Sequence, residues 1–331
     1  MMKALIIGLG SMGKRRIRCL KSLGHEDILG YDLREDRRAE AEKLYRVNTT
    51  GKLDSEILGN TDVIIISTPP DKHDQYIKLA IDNKKPTFVE ASVIVKELKE
   101  LDKLARKKGV LIAPSCTMRF HPAIKAIKNI VAGGKYGKVT NFTYHSGQYL
   151  PDWHPWEGVK DFYVGNKETG GCREIIPFEL TWLIDIVGFP SKIASFYGKT
   201  MDVGADIDDT YAISMAFGGA FGSMTVDVVS RYALRSLILN MERGQILWRW
   251  DETAVKLYDS VNGKWTHHDY HQRLSASGYN QNITDDMYVD ELASFIQAVN
   301  GGGQFPNSLE EDIKILELLN ELEGRKNEQR R

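Results

Sequence analysis

Gly8, Gly10 and Gly13, in the run Gly8-Leu9-Gly10-Ser11-Met12-Gly13, have the spacing of a loop that wraps a pyrophosphate. The first glycine admits a tight turn, the second lets backbone approach the anion, and the third lets a helix pack on the preceding strand. Ser11 and Met12 open that helix, whose N-terminal N–H groups face the phosphates. Asp32 follows about twenty residues on, where an acidic side chain accepts hydrogen bonds from ribose hydroxyls and repels a 2′-phosphate. This favours NAD over NADP. Arg34, Arg37 and Arg38 come next, and either soften that preference or form a solvated helix start. Ser67-Thr68-Pro69-Pro70 closes another apolar run, with His73 shortly after, and ligands of such folds lie at the carboxyl ends of the strands. His73 is there either as a cofactor contact or as a helix-start residue bonded to backbone.

The elements that must position these residues are legible as a pattern. From Lys3 to Ala113 short apolar runs (ALIIG, DILGYD, DVIIIST, PTFVE, VLIAP) alternate with stretches of helical period, the signature of a parallel sheet covered on both faces. The first half is therefore α/β, a doubly wound Rossmann domain. After Pro114 two helices, His121 to Val131 and Arg173 to Val187, bracket a region rich in aromatics. Strand-like runs then follow one another without helices between (KIASFYG, DTYAISMAF, GSMTVDVV, LRSLILN, GQILWRW, AVKLYD), which predicts an α+β domain with a mixed or antiparallel sheet. Helices return at Met287 to Val299 and after Ser308, where Ser308 and Glu311 form a capping box. The domain break falls near residue 119, giving 1–119 and 120–331.

Composition limits the remaining possibilities. With 331 residues, 44 Lys+Arg against 45 Asp+Glu and 42% hydrophobic residues, the chain has room for two globular domains. It has no net field to attract nucleic acid or an anionic membrane. The apolar start is too short for a signal peptide or a transmembrane span. Three widely spaced cysteines, 19, 116 and 172, give neither a disulfide framework nor a thiolate metal cage and fit a cytoplasmic protein. His267, His268 and His271 do not share one strand face and lack a carboxylate partner, so no metal site is expected.

The chain resembles the Gfo/Idh/MocA family of NAD(P)-dependent sugar and polyol oxidoreductases. The resemblance rests on GLGSMG, Asp32, STPPDKH, Phe88-Val89-Glu90, Arg119-Phe120-His121-Pro122, the pair Gly170-Gly171 before a helix, and Tyr288 to Phe295 followed by Ser308-Leu309-Glu310. It implies a Rossmann domain holding NAD, with Glu90 near the cofactor, and a C-terminal domain whose large open sheet makes homodimers or homotetramers. It also implies a small-molecule sugar site between them. Gly147 to Trp156 is further similar to members that serve surface-glycan and nonulosonic-acid biosynthesis. Two departures matter. The family's Glu-Lys-Pro reads Glu90-Ala91-Ser92, which removes the expected catalytic lysine, and the usual histidine of the later helix falls on Phe178.

Hydride transfer from a secondary alcohol still requires a group that takes the hydroxyl proton. Three residues are candidates. Glu174 stands one helical turn before Phe178, on the same face, and needs burial to raise its pKa. His154 lies in the loop Asp152-Trp153-His154-Pro155-Trp156, where Asp152 could orient it. Lys167 precedes the glycine pair and needs desolvation to act as a base. Arg119, His121, Trp153, Arg173 and Glu179 are candidate substrate contacts, Arg173 through a bidentate bond to an anion unless it merely pairs with Glu174. The leading expectation is an NAD-dependent oxidoreductase acting on a sugar or nucleotide-activated sugar. The rivals are an NAD-recycling epimerase or lyase, and a non-catalytic NAD- or sugar-sensing protein.

Overall fold

The computed structural model describes residues 2–153, 158–271 and 285–325. In chain order its elements begin β1 (Ala4–Ile7), α1 (Ser11–Ser22), β2 (Ile28–Tyr31), α2 (Glu35–Tyr45), β3 (Asn48–Thr50), α3 (Ser55–Gly59), β4 (Val63–Ile66), α4 (His73–Asp82), β5 (Thr87–Val89), α5 (Leu98–Lys108) and β6 (Ile112–Pro114). They continue with α6 (Pro122–Ala132), β7 (Val139–Tyr149), α7 (Cys172–Val187), β8 (Lys192–Gly198), β9 (Thr210–Ala216), β10 (Phe221–Asp227), β11 (Val229–Met241), β12 (Gly244–Arg249), β13 (Ala254–Asp259), β14 (Lys264–Asp269), α8 (Asp286–Val299) and α9 (Leu309–Leu322). The chain makes two compact units, Met1–Thr117 with Asp285–Lys314, and Met118–Thr284 with Ile315–Arg331.

The first unit is built on a six-stranded sheet of order β3-β2-β1-β4-β5-β6, parallel throughout. Its central strands read Ala-Leu-Ile-Ile and Val-Ile-Ile-Ile with every residue buried, as a sheet covered on both faces requires. The order reverses direction between β1 and β4, so the crevice at their carboxyl ends is where such a fold receives a ligand. The expected cap also forms, with the Glu311 N–H donating to Ser308 Oγ at 3.1 Å.

The second unit carries eight strands in the order β14-β13-β12-β11-β7-β10-β9-β8. Among the described residues only β7 and β10 run parallel, so the sheet is mixed and mostly antiparallel, as the run of strands predicts. Strand β7, in the middle of this sheet, falls in the aromatic-rich region, outside the strand-like runs of the sequence. Alternation sets one face toward the core. In β9, Tyr211, Ile213 and Met215 are buried while Ala212 and Ser214 are exposed. On the open face Phe196 is 88% exposed and Phe221 70%. Among the described residues no helix is long and apolar enough to cross a membrane.

Candidate active site

Two of the three loop glycines, Gly8 and Gly13, leave no room for a side chain. Gly8 has φ +96°, and a Cβ there would stand 2.6 Å from the Ser67 carbonyl oxygen. A Cβ on Gly13 would stand 1.8 Å from the Gly8 carbonyl, so the third glycine lets α1 lie on the loop that launches it. Gly10 is the N-cap of α1 and no side chain caps its free N–H groups. Its missing Cβ would meet nothing nearer than Arg37, at 3.7 Å. An uncapped helix N-terminus beneath an open glycine is an anion cradle. Ser11 and Met12 form its first turn.

Asp32, buried at the end of β2, anchors this cradle. Its Oδ2 accepts from the Leu9 N–H at 2.8 Å and its Oδ1 from the Arg34 N–H at 2.9 Å. Arg34 turns its guanidinium to Asp36, whereas Arg37 approaches Asp32 at 3.7 Å. Ser67, Thr68 and Pro69 follow β4. The Thr68 hydroxyl is buried without a partner among the described residues, and the Thr68 carbonyl lies 2.9 Å from His73 Nε2. His73 is 1% exposed, its Nδ1 has no partner among the described residues, and burial pushes its pKa down. It opens α4 and is bonded to backbone there.

Glu90 has a partner that the sequence reading lacks. Arg16, fully buried on α1, grips Glu90 bidentately at 2.6 and 2.9 Å and reaches Glu291 of α8 at 2.9 Å. Ser67 donates to Glu90 at 3.3 Å. Glu291 also accepts from Ser115 Oγ, the Cys116 N–H and Thr117 Oγ1 at 3.0, 2.6 and 2.8 Å. Four donors thus meet the Glu291 carboxyl and favour its charged form, but burial outweighs them and pushes its pKa up. Its contacts tie the end of β6 to a helix about 170 residues away. No local spacing announces such a cluster.

In the second unit α7 starts at the glycine pair. Gly171 has φ +61°, and a Cβ on Gly170 would stand 2.0 Å from the Val164 carbonyl. Glu174 lies in the first turn. Its Oε1 accepts from Tyr163 Oη at 2.7 Å, whereas its Oε2 is buried with no partner among the described residues. Burial lifts its pKa to about 7, opposed by the Tyr163 hydrogen bond. A carboxyl poised near neutrality with one uncommitted oxygen is suited to exchange a proton. Phe178 stands one turn further on, half-buried as Glu174 is. Trp153 is half-buried too, and its indole N–H has no partner among the described residues.

The other candidates are committed elsewhere. Glu179, fully buried, accepts from Tyr144 Oη (2.7 Å), Ser146 Oγ (3.1 Å), Trp182 Nε1 (2.8 Å) and Arg235 Nε (2.7 Å). Arg173 does not pair with Glu174. It binds Glu323, which follows α9, at 2.9 and 3.1 Å, and Glu323 also accepts from Tyr211 at 2.9 Å. Arg119 donates twice to the Thr181 carbonyl, at 3.0 and 2.9 Å. His121 is wholly buried against Trp248, Trp250 and Tyr270, its Nδ1 accepts from the Ala123 N–H, and burial pushes its pKa down to about 3. Lys167 is exposed, 3.5 Å from Asp208. His154 lies outside the described residues. All three cysteines are buried and stand outside any disulfide, and burial pushes the Cys172 thiol well up. Among the described residues no His, Cys, Asp and Glu converge as a metal site.

A parallel sheet with an anion cradle at its switch point, followed by a mixed eight-stranded sheet, defines a two-unit dinucleotide-binding protein. The profile of the oxidoreductase family with an NAD-binding Rossmann fold matches residues 2–115, and that of the GFO/IDH/MocA C-terminal domain matches residues 124–247. The chain belongs to the Gfo/Idh/MocA oxidoreductase family. It is 26% identical to the uncharacterized oxidoreductase YhhX of Escherichia coli (strain K12) over 52% of this chain, and so spans about half (48%) of that relative. Its fold matches that of an Agrobacterium radiobacter oxidoreductase solved with NAD+, L-tartaric acid and magnesium, with TM-score 0.85, 15% identity, and 99% of this chain and 97% of the other covered. It also matches levoglucosan dehydrogenase solved with NADH and L-sorbose, with TM-score 0.83, 16% identity, and 98% and 96% coverage.

Proposed function

We propose that the protein is an NAD-dependent oxidoreductase that oxidises a secondary hydroxyl of a sugar or nucleotide-activated sugar, with Glu174 as its acid/base. The observation that carries this reading is the state of Glu174: shielded, titrating near neutrality, and offering an oxygen that no described residue satisfies. It supplies the proton acceptor that Ala91 and Phe178 cannot.

The residues present fit the cofactor. The cradle of Gly8, Gly10 and Gly13 receives the pyrophosphate, Asp32 the ribose hydroxyls, and Ser67, Thr68 and Pro69 line the strand ends. When bound, NAD supplies the hydride acceptor. Glu174 Oε2 takes the hydroxyl proton as the alcohol is oxidised and returns it in the reverse direction. Trp153 offers a stacking face and an N–H to the sugar. A soluble sugar ligand, rather than nucleic acid or membrane, fits the balanced charge. Solved relatives bind NAD+ with L-tartaric acid, and NADH with L-sorbose.

Three finer readings belong to the same proposal. The protein works in the cytoplasm. Copies associate as a homodimer or homotetramer through the open face of the second sheet, where Phe196, Phe221 and Ile238 stand exposed. The sugar is one of surface-glycan or nonulosonic-acid biosynthesis. A panel of such sugars, with levoglucosan and L-sorbose as reference compounds, is incubated with NAD+ and read by NADH absorbance. NADH formation with some member supports the reading. Conversion of a sugar while the cofactor is recycled, without accumulating NADH, would instead support the epimerase or lyase alternative.

A further inference from the structure

Glu174 does not hold its position alone. Its Oε1 is engaged at 2.7 Å by Tyr163, which stands at the start of a short turn, Tyr163–Gly165. That turn is tightly wound. The Thr169 hydroxyl donates to the Tyr163 carbonyl at 2.9 Å, the Asn166 N–H donates to the same carbonyl at 3.1 Å, and the Gly170 N–H donates to the Asn166 carbonyl at 2.9 Å. A Cβ on Gly165 would stand 2.4 Å from the Val159 carbonyl. The glycines at 165 and 170 thus let residues 159–170 fold back so that a tyrosine hydroxyl meets the first turn of α7.

We propose that Tyr163 is the positioning residue of the proton-transfer site: its hydroxyl fixes Glu174 Oε1 and leaves Oε2 as the oxygen that exchanges the proton. This rests on the acid/base reading of Glu174. Two influences set the protonation of this carboxyl, burial raising its pKa and the Tyr163 hydroxyl lowering it. The charged neighbours face away from it, since Arg173 beside it on α7 is turned to Glu323 and Lys167 before the helix to Asp208. A hydroxyl that donates to the charged form of a carboxylate stabilises that form. Tyr163 therefore keeps enough Glu174 ionised at neutral pH to serve as a base.

The test is a pH titration of protein carrying 13C-labelled glutamate carboxyls, followed by NMR without any ligand, with the Glu174 signal assigned by its absence in Glu174→Gln. Tyr163→Phe keeps the ring and deletes the donor. The expected result is that Glu174 ionises about tenfold less readily than in the wild-type protein. Where a sugar of the panel turns over, the acid limb of kcat/KM should move up with it, so that Tyr163→Phe is slow at pH 7 and recovers at alkaline pH. An unmoved midpoint, or a loss of rate that alkaline pH does not restore, overturns the proposal. If Glu174→Gln turns over like wild type, the acid/base reading falls whatever Tyr163 does. If Glu174→Gln is inactive while Tyr163→Phe leaves the midpoint in place, only the role of Tyr163 falls.

Discussion

Replacing Glu174 by glutamine should stabilise the protein at alkaline pH and leave its stability unchanged at acid pH. The carboxyl ionises at about 4.5 when free and at about 7 in the fold, because burial disfavours its charged form. Below about 4.5 both states are protonated and burial carries no charge penalty. Between 4.5 and 7 the unfolded chain ionises while the folded one holds its proton, so wild-type stability falls across that window and levels off above it. The interval corresponds to about 3 kcal/mol, an upper figure because the side chain keeps some access to water. Glutamine has the same shape, still accepts from Tyr163, and does not titrate. Urea denaturation of both proteins from pH 4 to 8 should show matched midpoints at pH 4. By pH 8 the variant should gain about 1–3 kcal/mol at constant m. All other groups titrate alike in the two proteins and cancel. A difference independent of pH would refute the claim that burial holds this carboxyl near neutrality.

Gly13→Ala should displace α1 from the loop, since its Cβ would lie 1.8 Å from the Gly8 carbonyl. A destabilisation of about 1–3 kcal/mol and loss of NAD+ binding by calorimetry are expected. Asp32→Ser should weaken NAD+ and narrow its advantage over NADP+ by about tenfold or more, measured as the ratio of the two dissociation constants. Glu179→Leu should cost about 3–5 kcal/mol in urea denaturation, because four donors including Arg235 lose their acceptor. A cost below about 1 kcal/mol would mean that the pair with Arg235 contributes little.

The glycine loop and Asp32 were readable because each needs only local spacing and a strand before it. Helix α7 was readable for the same reason, and with it the face shared by Glu174 and Phe178. Strand β3, the three polar residues Asn48-Thr49-Thr50, shows no apolar run. Strand β7 hid its alternation, Phe142 and Tyr144 inward and Asn141 and Thr143 outward, within an aromatic-rich stretch. The partners of charged side chains were the least legible. Arg173 meets Glu323, and Arg16 meets Glu90 and Glu291, across separations that only the folded chain closes. A buried arginine on the cradle helix leaves one trace in sequence, an extra basic residue in Lys14-Arg15-Arg16, and that trace reads as surface. Tyr163 was missed because its role depends on how tightly residues 159–170 turn.

The account turns on whether Glu174 moves the proton. The direct measurement is NAD+ reduction by wild-type protein and by Glu174→Gln with a sugar that the wild-type protein oxidises, with NAD+ affinity measured alongside. The account predicts a loss of kcat of about 10²–10⁴-fold with NAD+ affinity unchanged. Turnover of the glutamine variant at the wild-type rate would contradict it.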